Sequence, residues 1–162
     1  MKFRHVKTVA SLLIGGGALA LGLSFSPAAR AQEEVRIGFL APRTGIFTAI
    51  GVDMTNGFQM YLDEHKGMLG GAKVTFIVED TQGKPDTAVA KAKKLILQDK
   101  VHMLVGGLLA STAYALAPVS TAEKTLYIGS SATADDIAQR QVDKYPYVAL
   151  STWVPSLPNH PL

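Results

Sequence analysis

Short apolar runs alternate with longer amphipathic segments along the body of this 162-residue chain, and this alternation limits the folds open to it. Apolar runs of strand length are separated by segments in which apolar residues recur at helical spacing. The strands are predicted at residues 35–41, 73–78, 101–105, 125–128 and 147–150, and the helices at 47–66, 85–98 and 111–124, with a short helix within 130–141. Because strands that alternate with helices form right-handed βαβ units, the predicted class is α/β, with a doubly wound, Rossmann-like parallel sheet.

The apolar spacing also predicts which face of each helix is buried. The first helix should bury the residues that recur at helical spacing, namely Ile50, Met54, Phe58, Tyr61 and Leu62. The second should bury Ala88, Val89, Ala92, Leu95 and Ile96, with its lysines on the opposite face. Pro85 suits the first turn of this helix, whereas Pro118 is expected to disturb the third because proline lacks the backbone N–H.

Residues 1–31 have the order of features that is typical of an export signal. A cationic start is followed by an uncharged run over residues 8–25, and Ala29-Arg30-Ala31 then supplies the small residues of a cleavage site before Gln32. A membrane anchor is the alternative, because 18 uncharged residues nearly span a bilayer. The glycines of the run disfavour that alternative. The prediction is an exported, soluble protein of the periplasm.

The net charge of +3 argues against a nucleic-acid partner once it is located along the chain. Residues 1–31 hold four basic and no acidic side chains, which leaves 12 basic and 13 acidic side chains in the remainder. The predicted mature body is therefore nearly neutral and lacks the basic surface that a polyanion needs. The absence of cysteine excludes disulfides, thiolate catalysis and zinc–cysteine sites.

No arrangement of side chains in the sequence indicates catalysis, a metal or a cofactor. The four histidines are isolated from one another, at His5, His65, His102 and His160. His102 is interpreted as a structural histidine within a strand. Glu79 and Asp80 end a strand, where capping or solvated roles are favoured over binding of a ribose or a metal. The sequence therefore predicts that the chain is not an enzyme and carries no cofactor or metal.

The loops that follow the third and fourth predicted strands are the candidate ligand site. Residues 106–112 combine two glycines with Ser111 and Thr112 at the start of a helix, and residues 129–136 place Thr133 as an N-cap. Ligands of open α/β sheets bind beyond the carboxyl ends of the strands. Backbone N–H groups and hydroxyls at helix starts can hold a carboxylate there. Simple helix capping is the alternative, and the two roles are compatible.

The segments VRIGFLAPRTGIFTAIGVDMTNGFQMYLDE, VEDTQGKPDTAVAKAKKLI, VHMLVGGLLAST and ATADD follow the export signal in that order. Together they resemble the type I periplasmic solute-binding proteins of ABC importers. Among these, the chain is similar to the leucine/isoleucine/valine-binding family, including its relatives that bind aromatic carboxylates. The resemblance runs from about Glu34 to the C-terminus.

This resemblance implies a fold of two α/β lobes joined by three hinge strands, with the ligand enclosed between the lobes. It also implies ligand-binding roles for the residues of two loops, Ala110, Ser111 and Thr112 in the first and Ser131, Ala132 and Thr133 in the second. Ile50 corresponds to a wall position where amino-acid binders often carry an aromatic residue. Ala110 stands where leucine binders often have serine. Both departures leave room for a bulkier or less polar ligand than leucine.

The function implied is that of a non-enzymatic importer subunit, which delivers a small carboxylate solute to an ABC permease in the inner membrane. The expected organisation is a signal peptide at 1–31, an incomplete N-terminal lobe at 32–150 and a truncated crossover toward a second lobe at 151–162. A lone lobe is expected to bind its ligand no tighter than about millimolar and to expose a sheet edge. A sensory or interaction module and an inactive gene fragment stay open as alternatives.

Overall fold

The computed structural model describes residues 34–134 and 136–151. Within these ranges there are six strands and three α-helices, and all five predicted strands and the three long predicted helices are present. The strands are β1 (Glu34–Ala41), β2 (Met68–Leu69), β3 (Ala72–Asp80), β4 (Met103–Gly106), β5 (Leu126–Gly129) and β6 (Val148–Leu150). The helices are α1 (Thr48–Glu64), α2 (Pro85–Leu97), α3 (Ala110–Ala122) and a short π-helix (Asp136–Arg140). The predicted signal peptide and most of the predicted crossover lie outside the described residues.

The strands form one sheet in the order β2-β3-β1-β4-β5-β6. Every neighbouring pair from β3 to β6 is parallel, which confirms the doubly wound α/β fold. The sheet is nevertheless mixed, because β2 pairs antiparallel with β3. The prediction missed this two-residue strand and treated its surroundings as a return loop. Gly70 and Gly71 have φ values of +58° and +89° and supply the tight turn between the two strands.

Helix α1 covers one face of the sheet. Its buried contacts centre on three aromatic rings, in which the Phe58 ring lies 4.9 Å from that of Phe76 and 5.5 Å from that of Phe39. The predicted apolar face was wrong in part, because Ile50 is 48% exposed and Tyr61 is 44% exposed. The residues of α1 that are buried are Gly51, Thr55 and Leu62. Gly51 lies against the Pro42 carbonyl, where any Cβ would collide with backbone.

Helices α2 and α3 pack side by side on the opposite face. The predicted buried face of α2 is confirmed for Ala88, Ala92, Leu95 and Ile96. These residues join Leu104 and Tyr127 of the sheet in one apolar core. Helix α3 runs unbroken past Pro118, so the expected disturbance does not interrupt it. Pro118 has no N–H to donate to the Tyr114 carbonyl. Both residues are exposed, so water can reach that carbonyl.

Glu79 and three neighbouring side chains fasten β3 to α2. The Glu79 carboxylate accepts from the Lys94 ammonium at 2.6 Å and from that of Lys91 at 2.7 Å, and Lys94 also reaches Asp99 at 2.9 Å. The pKa of the Glu79 carboxyl is lowered, first by the hydrogen bond from Lys91 and then by that from Lys94. Across residues 34–134 and 136–151, no helix is long and apolar enough to span a membrane.

Candidate functional site

The carboxyl ends of β4 and β5 form the centre of the candidate site. These adjacent parallel strands end in register, with Gly106 opposite Gly129. The backbone N–H of Ser130 and the hydroxyl of Tyr127 both donate to the Gly106 carbonyl, each at 3.2 Å. The loop after β4 and the loop after β5 therefore both begin at the carboxyl end of the sheet, where the Ser130–Gly106 hydrogen bond joins them.

Two glycines set the direction of the loop after β4. Gly106 and Gly107 have φ values of +109° and +83°, which side chains rarely allow. A Cβ on Gly106 would collide with the Leu40 carbonyl, and one on Gly107 would collide with the Tyr127 hydroxyl. The Gly107 N–H donates to the Leu40 carbonyl at 2.8 Å. The turn thus leads directly from the sheet into the start of α3.

The start of α3 presents two unused backbone donors. The helix begins at Ala110, one residue earlier than predicted, and Leu109 occupies the N-cap position without a side-chain cap. The N–H groups of Ala110 and Ser111 have no acceptor among the residues that the structure describes. The N–H of Thr112 donates to the Leu109 carbonyl at 3.0 Å, and its side chain is only 2% exposed. Ser111 is exposed, so it is the better placed of the two hydroxyl residues.

The loop after β5 carries further unused donors. The N–H groups of Ser131, Ala132 and Thr133 have no acceptor within the described ranges. The Ala132 side chain is fully buried in the core beneath α2 and α3, whereas Ser131 and Thr133 are partly exposed. The prediction of Thr133 as an N-cap was wrong, because the following helix begins at Asp136. Its first backbone bond runs from the Ile137 N–H to the Ala134 carbonyl at 3.2 Å.

Ile50 reaches the same edge of the sheet from another element. It lies in the first turn of α1, which follows β1, and β1 is the strand next to β4. Because α1 covers the face opposite to α3, Ile50 approaches from that face. The structure therefore brings the two predicted loops together and places Ile50 at the start of the neighbouring helix. No contact tests the ligand-binding roles themselves.

An open groove of about 380 Å³ continues from the loop after β5 along α1. Its lining is mostly apolar and comes from Phe39, Asp53, Met54, Gly57, Phe58, Tyr61, Val105, Ser130 and Ser131. Ser131 is the predicted site residue in this set. The buried hydroxyl of Ser130 has no hydrogen-bond partner among the described residues. The apolar pattern assigned Tyr61 to the core and passed over Asp53, although Asp53 lies three residues after Ile50 and therefore on the same side of α1.

The two carboxylates at the end of β3 have the structural roles that the sequence favours. Asp80 accepts hydrogen bonds from the backbone N–H groups of Arg43 and Gln82, each at 2.8 Å, and from the Thr44 hydroxyl at 2.6 Å. Partial burial acts to raise the pKa of this carboxyl, but the hydrogen bonds, led by that from Thr44, together hold it below its ordinary value. Asp80 is thus fully engaged as an acceptor.

His102 has a local structural contact, as predicted, although it is exposed rather than enclosed by apolar side chains. Its Nδ1 accepts the Arg36 backbone N–H at 2.9 Å, just before β4 begins. Together with the hydrogen bond from the His102 N–H to the Arg36 carbonyl at 2.8 Å, this contact ties the start of β4 to the neighbouring strand β1. Within the described part of the chain, no group of three or more His, Asp or Glu residues is arranged to hold a metal ion.

Comparisons with known proteins agree with this geometry. A family model described as periplasmic binding protein matches residues 34–157. A Leu/Ile/Val-binding protein, BraC3 of Rhizobium johnstonii, is 33% identical over 124 residues, which are 75% of this chain and 33% of that protein. A solute-binding protein of an ABC transporter from Rhodopseudomonas palustris, solved with 3,4-dihydroxybenzoic acid, is 26% identical with a TM-score of 0.68. The match covers 75% of this chain and 32% of that one.

A second Rhodopseudomonas palustris solute-binding protein, solved with benzoate, is 26% identical with a TM-score of 0.69. It is covered over 33% of its length. The isoleucine complex of LivJ from Streptococcus pneumoniae has a TM-score of 0.68 at 24% identity, which supports the fold alone. The chain thus spans about a third of the length of the relatives that it matches.

Proposed function

This chain belongs to the periplasmic binding protein family, and from that premise we propose that it supplies the first ligand-binding lobe of an ABC importer's solute-binding component. The proposed ligand is a small carboxylate, either a branched-chain amino acid or an aromatic acid. Relatives with both kinds of name support this range, since one is called a Leu/Ile/Val-binding protein and two were solved with benzoic acids. Family membership implies a periplasmic location, and we assign residues 1–31 as the signal that directs export.

The unused backbone donors at one edge of the sheet carry this proposal. The N–H groups of Ala110 and Ser111 and those of Ser131 and Thr133 come from two loops that are joined by the Ser130–Gly106 hydrogen bond. Donors of this kind at a helix start attract an anion, and they hold a carboxylate without a full counter-charge. The hydroxyls of Ser111, Ser131 and Thr133 would add further contacts.

The walls of the site favour a ligand with an apolar body. Ile50 offers an exposed aliphatic surface on the α1 side, and the groove beside Ser131 is lined by Phe58 and Tyr61. A benzoate or a branched aliphatic chain would rest against these side chains while its carboxylate meets the donors. In the longer protein, a second lobe would cover the exposed face of the ligand, and the closed form would deliver it to a permease of the inner membrane.

A titration followed by amide NMR tests the proposal on the full chain. Isoleucine and 4-hydroxybenzoate should shift the amide signals of Ala110, Ser111, Ser131 and Thr133 with a midpoint of about millimolar or weaker, because one lobe leaves half of the ligand in water. Isoleucinamide and phenol are matched controls that lack the carboxylate, and they should not shift these signals. The absence of shifts with both acids, or equal shifts with the controls, would refute the carboxylate assignment.

A further inference from the structure

The loop between β1 and α1 donates hydrogen bonds to one carboxylate, that of Asp80, the last residue of β3. We propose that Asp80 is a positioning residue, which latches the 42–47 loop to the loop after β3 and so fixes the wall of the candidate site that leads to Ile50. This inference rests on the proposed function for its purpose. The latch itself is a property of the fold and can be tested without a ligand.

The Asp80 carboxylate accepts hydrogen bonds from both loops. Its Oδ1 atom accepts the Arg43 N–H from the first loop and the Gln82 N–H from its own loop, each at 2.8 Å. Its Oδ2 atom accepts the Thr44 hydroxyl at 2.6 Å. Hydrogen bonds to a charged acceptor are shorter and stronger than those between neutral groups. One side chain therefore uses both oxygens to tie two loops that are 36 residues or more apart along the chain.

A second set of contacts joins the same two loops. The Thr81 N–H donates to the Ala41 carbonyl at 3.0 Å and extends the β1–β3 pairing into the loops. Gly83 has a φ of +67°, and a Cβ there would lie 2.9 Å from the Phe47 ring. The Phe47 ring thus packs against the Gly83 backbone, so an apolar contact joins the two loops in addition to the hydrogen bonds.

The latched loop presents aliphatic surface to solvent. Ile46 is 93% exposed, and Ile50 one turn later is 48% exposed. Ile46 lies within a turn that is closed by the Thr48 hydroxyl, which donates to the Gly45 carbonyl at 2.6 Å. An apolar side chain on a fixed loop keeps its place when a ligand arrives, so less conformational entropy is lost on binding. Asp80 would act on affinity through this wall and not by touching the ligand.

The test compares Asp80→Ala, Asp80→Asn and Thr44→Val with the unchanged full chain by amide hydrogen exchange. Asp80→Ala should accelerate exchange at Arg43 and Gln82 about tenfold or more, since each N–H loses a charged acceptor. Asp80→Asn should restore most of the protection, because the amide oxygen can still accept both N–H bonds. Thr44→Val removes only the Oδ2 contact and should have a smaller effect. Asp143→Ala is the control, because Asp143 is exposed and its carboxylate makes no hydrogen bond or ion pair among the described residues.

Binding of 4-hydroxybenzoate separates positioning from general stability. Faster exchange confined to the two loops, with a weaker 4-hydroxybenzoate midpoint in Asp80→Ala, supports the proposal. Unchanged exchange at Arg43 and Gln82 overturns it, and so does equal acceleration in the β4 and β5 amides, which would make Asp80 a residue of global stability. If the loops respond as expected but the unchanged chain binds neither 4-hydroxybenzoate nor isoleucine, the latch stands and the proposed function fails.

Discussion

The Tyr127 phenol lies directly beneath Gly107, and this contact makes a double substitution informative. Tyr127 is fully buried, its hydroxyl donates to the Gly106 carbonyl, and burial raises the pKa of that hydroxyl above its ordinary range. Gly107→Ala should destabilise the chain for two separate reasons. Alanine must adopt a φ of +83°, and its methyl group must displace the phenol oxygen.

The conformational cost and the cost of the overlap can be estimated separately as free energies. A left-handed alanine costs about 1–2 kcal/mol, and overlap with a buried group adds about 1–3 kcal/mol. Tyr127→Phe alone should cost about 1 kcal/mol, because the Gly106 carbonyl keeps the Ser130 N–H as a partner. Once the hydroxyl is gone, the nearest ring atom is Cζ, at 3.6 Å from the new methyl group, which is an ordinary contact. The double variant should therefore be more stable than the sum predicts, by about 1–2 kcal/mol.

Urea unfolding of the full chain, followed by far-ultraviolet circular dichroism, measures the four free energies of this cycle. Gly71→Ala is a matched control, since Gly71 has a φ of +89° and no atom within 4 Å of the added Cβ. It reports the conformational cost without the overlap. Equal losses in Gly107→Ala and Gly71→Ala, or additivity within about 0.5 kcal/mol in the cycle, would refute the packing argument.

Three further predictions concern stability, binding and processing. Because the folded pKa of Glu79 lies below the ordinary 4.5, its contribution to stability is present above that pH and is lost as the pH falls through the folded value. The difference in unfolding free energy between the unchanged chain and Glu79→Gln should therefore fall toward zero as the pH is lowered below 4.5. A difference that stays constant with pH would show that the ion pairs contribute nothing. In a full-length relative, the change that corresponds to Thr133→Val should weaken carboxylate binding by about 1–3 kcal/mol, whereas the change that corresponds to Thr121→Val, which here removes a buried hydroxyl without a partner among the described residues, should not. The intact mass of exported protein should lack residues 1–31, and retention of Met1 would favour an anchor.

Periodicity predicted most of the fold because the parallel strands and α2 depend on apolar burial. The face of α2 was correct to the residue at Leu95 and Ile96, where burial follows hydrophobicity. The face of α1 was partly wrong because the helix buries Gly51, against the Pro42 carbonyl, and Thr55. Gly51 is buried because it has no side chain, and the Thr55 hydroxyl can be buried because it donates to the Gly51 carbonyl at 2.7 Å. Neither property appears in an apolar pattern.

The candidate site was predictable as a location but not in its local geometry. The rule that ligands bind beyond the carboxyl ends of parallel strands placed both loops correctly at one edge. The N-cap assignment of Thr133 failed because a hydroxyl residue before acidic residues is compatible with several helix starts. The chain instead buries Ala132, Ala134 and Ile137 before and within the π-helix. Burial of these three side chains therefore accompanies the later start of that helix.

Backbone donors and wall side chains would have different roles at the carboxyl end of the sheet. The N–H groups of Ala110 and Ser131, which have no acceptor among the described residues, belong to the backbone, and they follow the turns set by Gly106, Gly107 and the buried Tyr127. Such donors recognise a carboxylate of any kind, because every carboxylate presents the same two oxygens. Under the proposed function, discrimination between an aliphatic and an aromatic acid would come from exposed side chains of the wall, such as Ile46 and Ile50. Under the proposed function, a change in the wall would alter the choice of carboxylate and would leave the backbone donors in place.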